Sequence, residues 1–284
     1  MQYKINKMLN FCFDDIQKID FQLFLITVKC LIPYDDKIGC LFDKDRYKKE
    51  IELFASYMNA NDELIDYWLQ NKEASNLEDN LLEYKIIPLA LSNTVWENLT
   101  DELLKVVLFY TINNNTILSA LLISSAVFDF MIGSDIESIE EAAKERLINF
   151  SVKEFLSKNQ INADKNYIIG FEKERIKMIA KPILFDNNFV NRFKVLNYIF
   201  EKSPEYFTEN NSDIINSFSV YLYKLRKGLI SPEKLKIPDK IPDIKECLKY
   251  SAFSHPLLGR CKVIKRTGKE AIVRNKSGLM RIRI

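Results

Sequence analysis

The chain has 284 residues, 47% of them hydrophobic and 28% charged, with a formal net charge of +2. That is enough apolar material for a substantial core and argues against disorder. Only 7 Gly and 8 Pro argue against a turn-dense β protein, five scattered cysteines without a CxxC pair argue against a zinc site or a disulfide framework, and a sole histidine, His255, excludes any mechanism that needs two.

Residues 21–32 read as a buried helix, because an apolar run of that length favours helix over strand. The run contains Lys29 and lies too far from the start to be a secretion signal. Asp43 is placed to cap DRYKKEIELFASYMN, in which Tyr47, Ile51, Phe54 and Met58 recur at helical spacing. DELIDYWLQ predicts a short helix. NLLEYKIIPLALSN, residues 80–93, is apolar and interrupted by Pro88. Thr100 is placed to cap DELLKVVLFYTI, NNN at 113–115 reads as a polar turn, and Thr116 opens a second apolar helix through Met131. Two consecutive helices that are apolar on most faces belong at the centre of a helical body. Within the second, LLISSAVFDFMIG is too short to span a bilayer and carries Asp129, so a cytoplasmic protein without a membrane partner is expected.

SIEEAAKERLINFSVKEFLSK predicts an amphipathic helix, and FVNRFKVLNYIFEK another with Phe189, Phe193, Leu196 and Phe200 on one stripe. NNSDIINSFSVYLYKLRKGL, residues 210–229, has a polar entrance, cations in its last turn and Gly228 after it, which is ordinary helix punctuation. After Pro238 the pattern changes. IPDKIPDIKECLKYSAFSHPLLG holds one short helix and loop signals, with His255 in a loop before Pro256. RCKVIKR, EAIVRN and LMRIRI then alternate apolar and basic residues between glycine turns, which predicts a three-stranded β-meander over 259–284. Charge divides in the same place. Residues 251–284 hold nine Lys/Arg against Glu270 alone, a charge of +8, and residues 1–250 carry −6. The expected organisation is a helical domain over 1–250 and a basic β-meander tail over 251–284.

Four segments of the helical part form an ordered set. In NLLEYKIIPLALSN, Asn80, Pro88, Leu89 and Leu91 match an Asn-Gly-x-x-Met-Arg-x-x-Pro-Leu-x-Leu element, with Leu81 at the glycine and Lys85 at the arginine. FYTINNN keeps Thr111 of a Thr-His-x-x-Pro element, with Ile112 and Asn115 at the other two places. NNSDI aligns with Gly-Asp-Thr-Asp-Thr, so that Asn211 stands at the first aspartate, Asp213 at the second and Ile214 at the last threonine. IDFQLFLITVKCLI keeps Asp20 and Gln22 of a Thr-Asp-Asp-Thr-Gln element, and FDDIQ, with Asp14 and Asp15, competes for the same assignment.

In this order the segments resemble the ADP-ribosylglycohydrolase family over roughly residues 13–250. The resemblance implies a mainly all-α fold and a divalent-cation site, built from two acid clusters, that cleaves ADP-ribose from proteins or small molecules. It implies metal positions at Asp20 and Asp213, or alternatively at Asp14 and Asp15, and ligand positions at Asn80, Lys85, Asn211 and Asp213. Mg²⁺ requires charged oxygen ligands in a strict shell. Asn211 offers only a neutral carbonyl, while Ile214 and Phe21 offer nothing.

A catalytically inactive relative is therefore expected. It would need no cofactor and would bind ADP-ribose, an ADP-ribosylated protein or an ADP-ribosylating toxin. Two alternatives stand beside it. One is a divergent hydrolase using Mg²⁺ at Asp213 with Asp20 or Asp14/Asp15. The other is a nucleic-acid-binding protein that uses Arg260, Lys262, Lys265, Arg266, Arg274, Lys276, Arg281 and Arg283. NNSD read purely as an N-cap box on a core helix is the bland counterpart of all three.

Overall fold

The computed structural model describes residues 1–284 except 160, 162–163, 181–186, 201–212, 236 and 239. A helical body fills residues 2–247, and a four-stranded antiparallel sheet closes the chain.

The centre of the body is helix α5, Leu82–Ser92, in which every residue is buried. It is surrounded by α2 (Ile19–Lys29), α6 (Trp96–Tyr110), α7 (Asn114–Ile132) and α13 (Asp213–Arg226). Helix α5 runs through Pro88 rather than stopping there. A proline inside a helix costs about 3 kcal/mol, and burial of all eleven residues outweighs that cost. Helix α7 is long and apolar enough to cross a membrane, but 83% of its most apolar window is buried inside the protein. It packs against α5, α6 and α8 (Ile136–Asn149), so its apolar character is that of a core helix.

Several boundaries differ from the sequence reading, each for a local reason. Asp43 does cap α3 (Lys44–Phe54), accepting from the Arg46 N–H. Thr100 does not cap; α6 starts at Trp96, and the Thr100 hydroxyl donates back to the Trp96 carbonyl. Asn113, not Thr116, caps α7, its side chain accepting from the Thr116 N–H. The amphipathic stretch splits into α8 and α9 (Val152–Lys158), because Ser151 caps a new helix. The Phe189 stretch splits into α11 (Asn187–Val190) and α12 (Lys194–Phe200). There the buried Glu83 carboxylate of α5 accepts the Lys194 N–H at 3.1 Å and the Val195 N–H at 2.9 Å. That carboxylate, 111 residues away in sequence, satisfies the start of α12. The 21–32 segment is helical only to Lys29; Leu31–Pro33 forms β1, paired with β2 (Cys40–Phe42).

The C-terminal sheet has four strands, not three, in the order β3 (Ala252–His255), β4 (Gly259–Arg266), β5 (Glu270–Asn275), β6 (Gly278–Arg283). The extra strand is SAFSH, which pairs from Ala252↔Lys262 to His255↔Gly259. Gly259, at φ +72, makes the tight return possible. His255 is thus a buried strand residue rather than a loop residue. Its ring is held between the Pro242 carbonyl, 3.1 Å from Nε2, and the Leu257 N–H, which donates to Nδ1. The inner face of the sheet, with Cys261, Ala271, Val273 and Ile282, belongs to the same apolar core as the helices. The Arg283 N–H donates to Ser56 O at 2.8 Å and its guanidinium to Met58 O at 3.3 Å, tying the last strand to the end of α3.

Candidate functional site

The segment before α5 holds Asn80, and Lys85 stands in the first turn of that helix. The segment is tied to the start of α7 by a series of hydrogen bonds. Ser75 forms a bridge with Thr111, the Thr111 hydroxyl donates to Leu77 O at 2.7 Å, and the Asp79 N–H donates to the Thr116 hydroxyl at 3.1 Å. Asp79 in turn accepts from the Leu81 N–H. Both Asp79 oxygens lie 2.9 Å from the Lys85 ammonium, which also sits 4.3 Å above the Tyr110 ring. Lys85 is 1% exposed and Asp79 4%. Burial pushes the Asp79 carboxyl up, and the adjacent Lys85 charge opposes that rise. Lys85 is therefore engaged inside the protein and fixes the loop that presents Asn80, which is exposed.

The acids at the other resembled positions have separate surroundings. Asp20 is half-buried in the first turn of α2, and Asp213 is exposed at the start of α13. The two helices touch through rings: Phe218 meets Phe21 at 6.1 Å and Phe24 at 6.2 Å, edge-on in both cases. Asp14 is exposed and pairs with Lys194 at 2.9 Å. Asp15, also exposed, accepts from the Gln17 N–H at 2.8 Å. Asn211 lies outside the described residues. Among the described residues no group of three or more His, Cys, Asp or Glu side chains could hold a metal ion. Phe21 lies in the core, Asp14 is neutralised by a lysine, and Asp15 serves a turn.

Other charged groups escaped the sequence reading because their partners are distant. Arg226, in the last turn of α13, is 2% exposed and donates to the carbonyls of Leu91 at 3.2 Å and Asn93 at 2.6 Å. It satisfies the C-terminal end of α5, where helix carbonyls carry partial negative charge. Arg146 of α8 grips Asp129 and Ser125 of α7 and stacks on Trp96 at 4.4 Å and Phe128 at 5.1 Å. Its spacing in an amphipathic helix carries no signal of that inward role.

The basic tail forms the outer face of the sheet. Alternation buries Cys261, Ala271 and Val273 and leaves Arg260, Lys262 and Arg274 exposed on the other side. Lys262 stands directly opposite Arg274. A bulge between Val263 and Lys265 restores the outward series, placing Lys265 opposite Ile272 and Ile272 opposite Arg281. Arg266 ends β4, Lys276 lies in the β5–β6 turn, and both are exposed. Glu270 is the one acid, 3.7 Å from Arg281.

No family model, curated protein or solved structure matches the chain.

Proposed function

We propose that the chain is a catalytically inactive binding protein of the ADP-ribosylglycohydrolase type. Its partner would be ADP-ribose, an ADP-ribosylated protein or an ADP-ribosylating toxin, held beside exposed Asn80 or beside Asp213 at the entrance of α13. One observation supports the reading above others. Two of the charged groups at the positions where a hydrolase would hold phosphate or cation are engaged by the protein itself, Lys85 by Asp79 and Asp14 by Lys194. A lysine held by a buried carboxylate has no charge to lend to a phosphate, and a paired carboxylate is a poor ligand for Mg²⁺. What remains for a ligand is the Asn80 amide with the carboxylates of Asp20 and Asp213, fewer acids than two cation shells require, which favours recognition over bond cleavage.

The test is a thermal-shift titration with ADP-ribose and with an ADP-ribosylated protein, each with and without Mg²⁺. The reading expects stabilisation that is independent of Mg²⁺ and lost in Asn80→Ala or Asp213→Ala. Multiple-turnover release of ADP-ribose, abolished by Asp213→Ala, would replace it with the divergent-hydrolase alternative. No shift with either ligand would overturn it.

A further inference from the structure

The second surface is independent of the ADP-ribose reading. We infer that the outer face of the C-terminal sheet is a docking surface for double-stranded nucleic acid, held by its phosphate backbone without base readout.

The first support is how the sheet attaches. Charge alone would dock a tail of +8 on a body of −6. The tail docks instead through buried Cys261, Ala271, Val273 and Ile282 and through the Arg283 contacts. Arg260, Lys262, Lys265, Arg266, Arg274 and Lys276 make no side-chain hydrogen bond or ion pair with any described residue. The cations therefore face solvent with their charge uncompensated.

The second support is the cost of that arrangement. Like charges directly opposite on neighbouring strands are destabilising, and Lys262 and Arg274 are such a pair. Folding alone gains nothing from placing them together. A polyanion removes the repulsion and adds attraction, since each cation that meets a phosphate releases a condensed counterion.

The third support selects the kind of polyanion. Single-stranded nucleic acid is held by aromatic platforms on which bases stack. The outward side chains between the cations are Ala252, Ser254, Ile272 and Leu279, and Phe253 turns to the partly buried inner side. With no ring among them, the face has nothing to hold an unstacked base. It also presents an array extended in two directions. Neighbouring strands stand about 4.8 Å apart and alternate residues about 6.7 Å apart. Such an array suits the regular phosphates of a duplex better than the irregular charges of an acidic protein.

The experiment is fluorescence anisotropy of the full chain with labelled random-sequence duplex DNA and duplex RNA of about two helical turns. Single-stranded DNA and polyglutamate serve as comparison probes. Duplex binding is expected to be tighter than to either comparison probe and insensitive to sequence. With about five phosphate contacts, log K should fall with log salt at a slope of about −4.5. Lys262→Glu with Arg274→Glu should weaken duplex binding by about tenfold or more, in line with the loss and reversal of two phosphate contacts. Lys153→Glu with Lys173→Glu makes the same change of net charge on exposed helical positions and should leave binding unchanged. If the sheet variant loses its thermal transition, Lys262→Gln with Arg274→Gln is read in its place. Equal or tighter binding of the single strand or of polyglutamate, undiminished binding by the sheet variant, or no duplex binding would each overturn the inference.

Discussion

The surroundings of α5 and the outer face of the terminal sheet treat charge in opposite ways. Around α5, three buried charged side chains have fixed partners: Lys85 with Asp79, Arg226 with the α5 carbonyls, Glu83 with the first amides of α12. On the sheet, Arg260, Lys262, Lys265 and Arg274 point outward, and none has a side-chain partner among the described residues. The difference teaches that the two regions use charge for different ends. Inside, a charge without its partner is so costly that each pair specifies one arrangement of helices. Outside, water screens each cation, so its contribution to folding is small and its charge remains available to a partner.

The comparison breaks most visibly at the buried pair. Lys85→Met should destabilise the protein by about 3–5 kcal/mol by leaving Asp79 buried and unpaired. Removing both charges, Lys85→Met with Asp79→Leu, should recover most of that loss, and urea unfolding of the single and double variants measures both. A double variant no more stable than the single one would mean that the loop before α5 needs the ions for its shape.

Arg226→Met should cost less, about 2–3 kcal/mol, because it removes charge-assisted hydrogen bonds but leaves only carbonyls behind. Hydrogen exchange should show the loss first at the C-terminal turn of α5. Uniform loss of protection across the body would contradict the capping role.

His255 sharpens the contrast at the seam between the regions. Burial lowers its pKa below the ordinary value of 6.5, and the charge of Lys29 adds to the lowering. Its Nδ1 accepts from the Leu257 N–H, so the neutral ring is the one that fits. The unfolded chain therefore binds a proton at higher pH than the folded one. The His255 contribution should be complete above pH 6.5 and decline as pH falls toward the lowered folded value. The slope cannot exceed about 1.4 kcal/mol per pH unit from one group. His255→Gln should flatten that part of the stability profile, and an unchanged slope in the variant would assign it to other groups.

The smallest effect belongs to the sheet. Lys262→Gln with Arg274→Gln should change stability by no more than about 0.5 kcal/mol, and toward higher stability because a like-charge pair disappears. A large loss on calorimetry would show that these side chains hold the sheet together rather than await a partner.

The sequence carried the helical body, the cap at Asp43, the buried central segments and the basic strands, because these depend on neighbours a few residues apart. Periodicity reports which face is apolar, and short-range capping reports where a chain enters a helix. It misjudged Pro88, because the cost of a proline is local whereas its compensation by surrounding helices is not. It missed β3, because SAFSH holds too few strand-forming residues to stand out until β4 lies beside it. Among the candidate site residues, Lys85 carried no sign in the sequence of its buried partner, Asp79. Six residues separate the two, and only the turn into α5 brings their side chains together.

What the sequence determined by itself was composition in place: apolar helices for a core, then a short stretch of alternating cations and aliphatics. Tertiary structure decided the direction in which each charge faces. Lys85 and Lys262 are alike as residues, each beside an apolar segment. One is desolvated and so must be neutralised by a carboxylate, while the other stays in water and keeps its charge. Burial makes that difference, and burial is a property of how the elements pack.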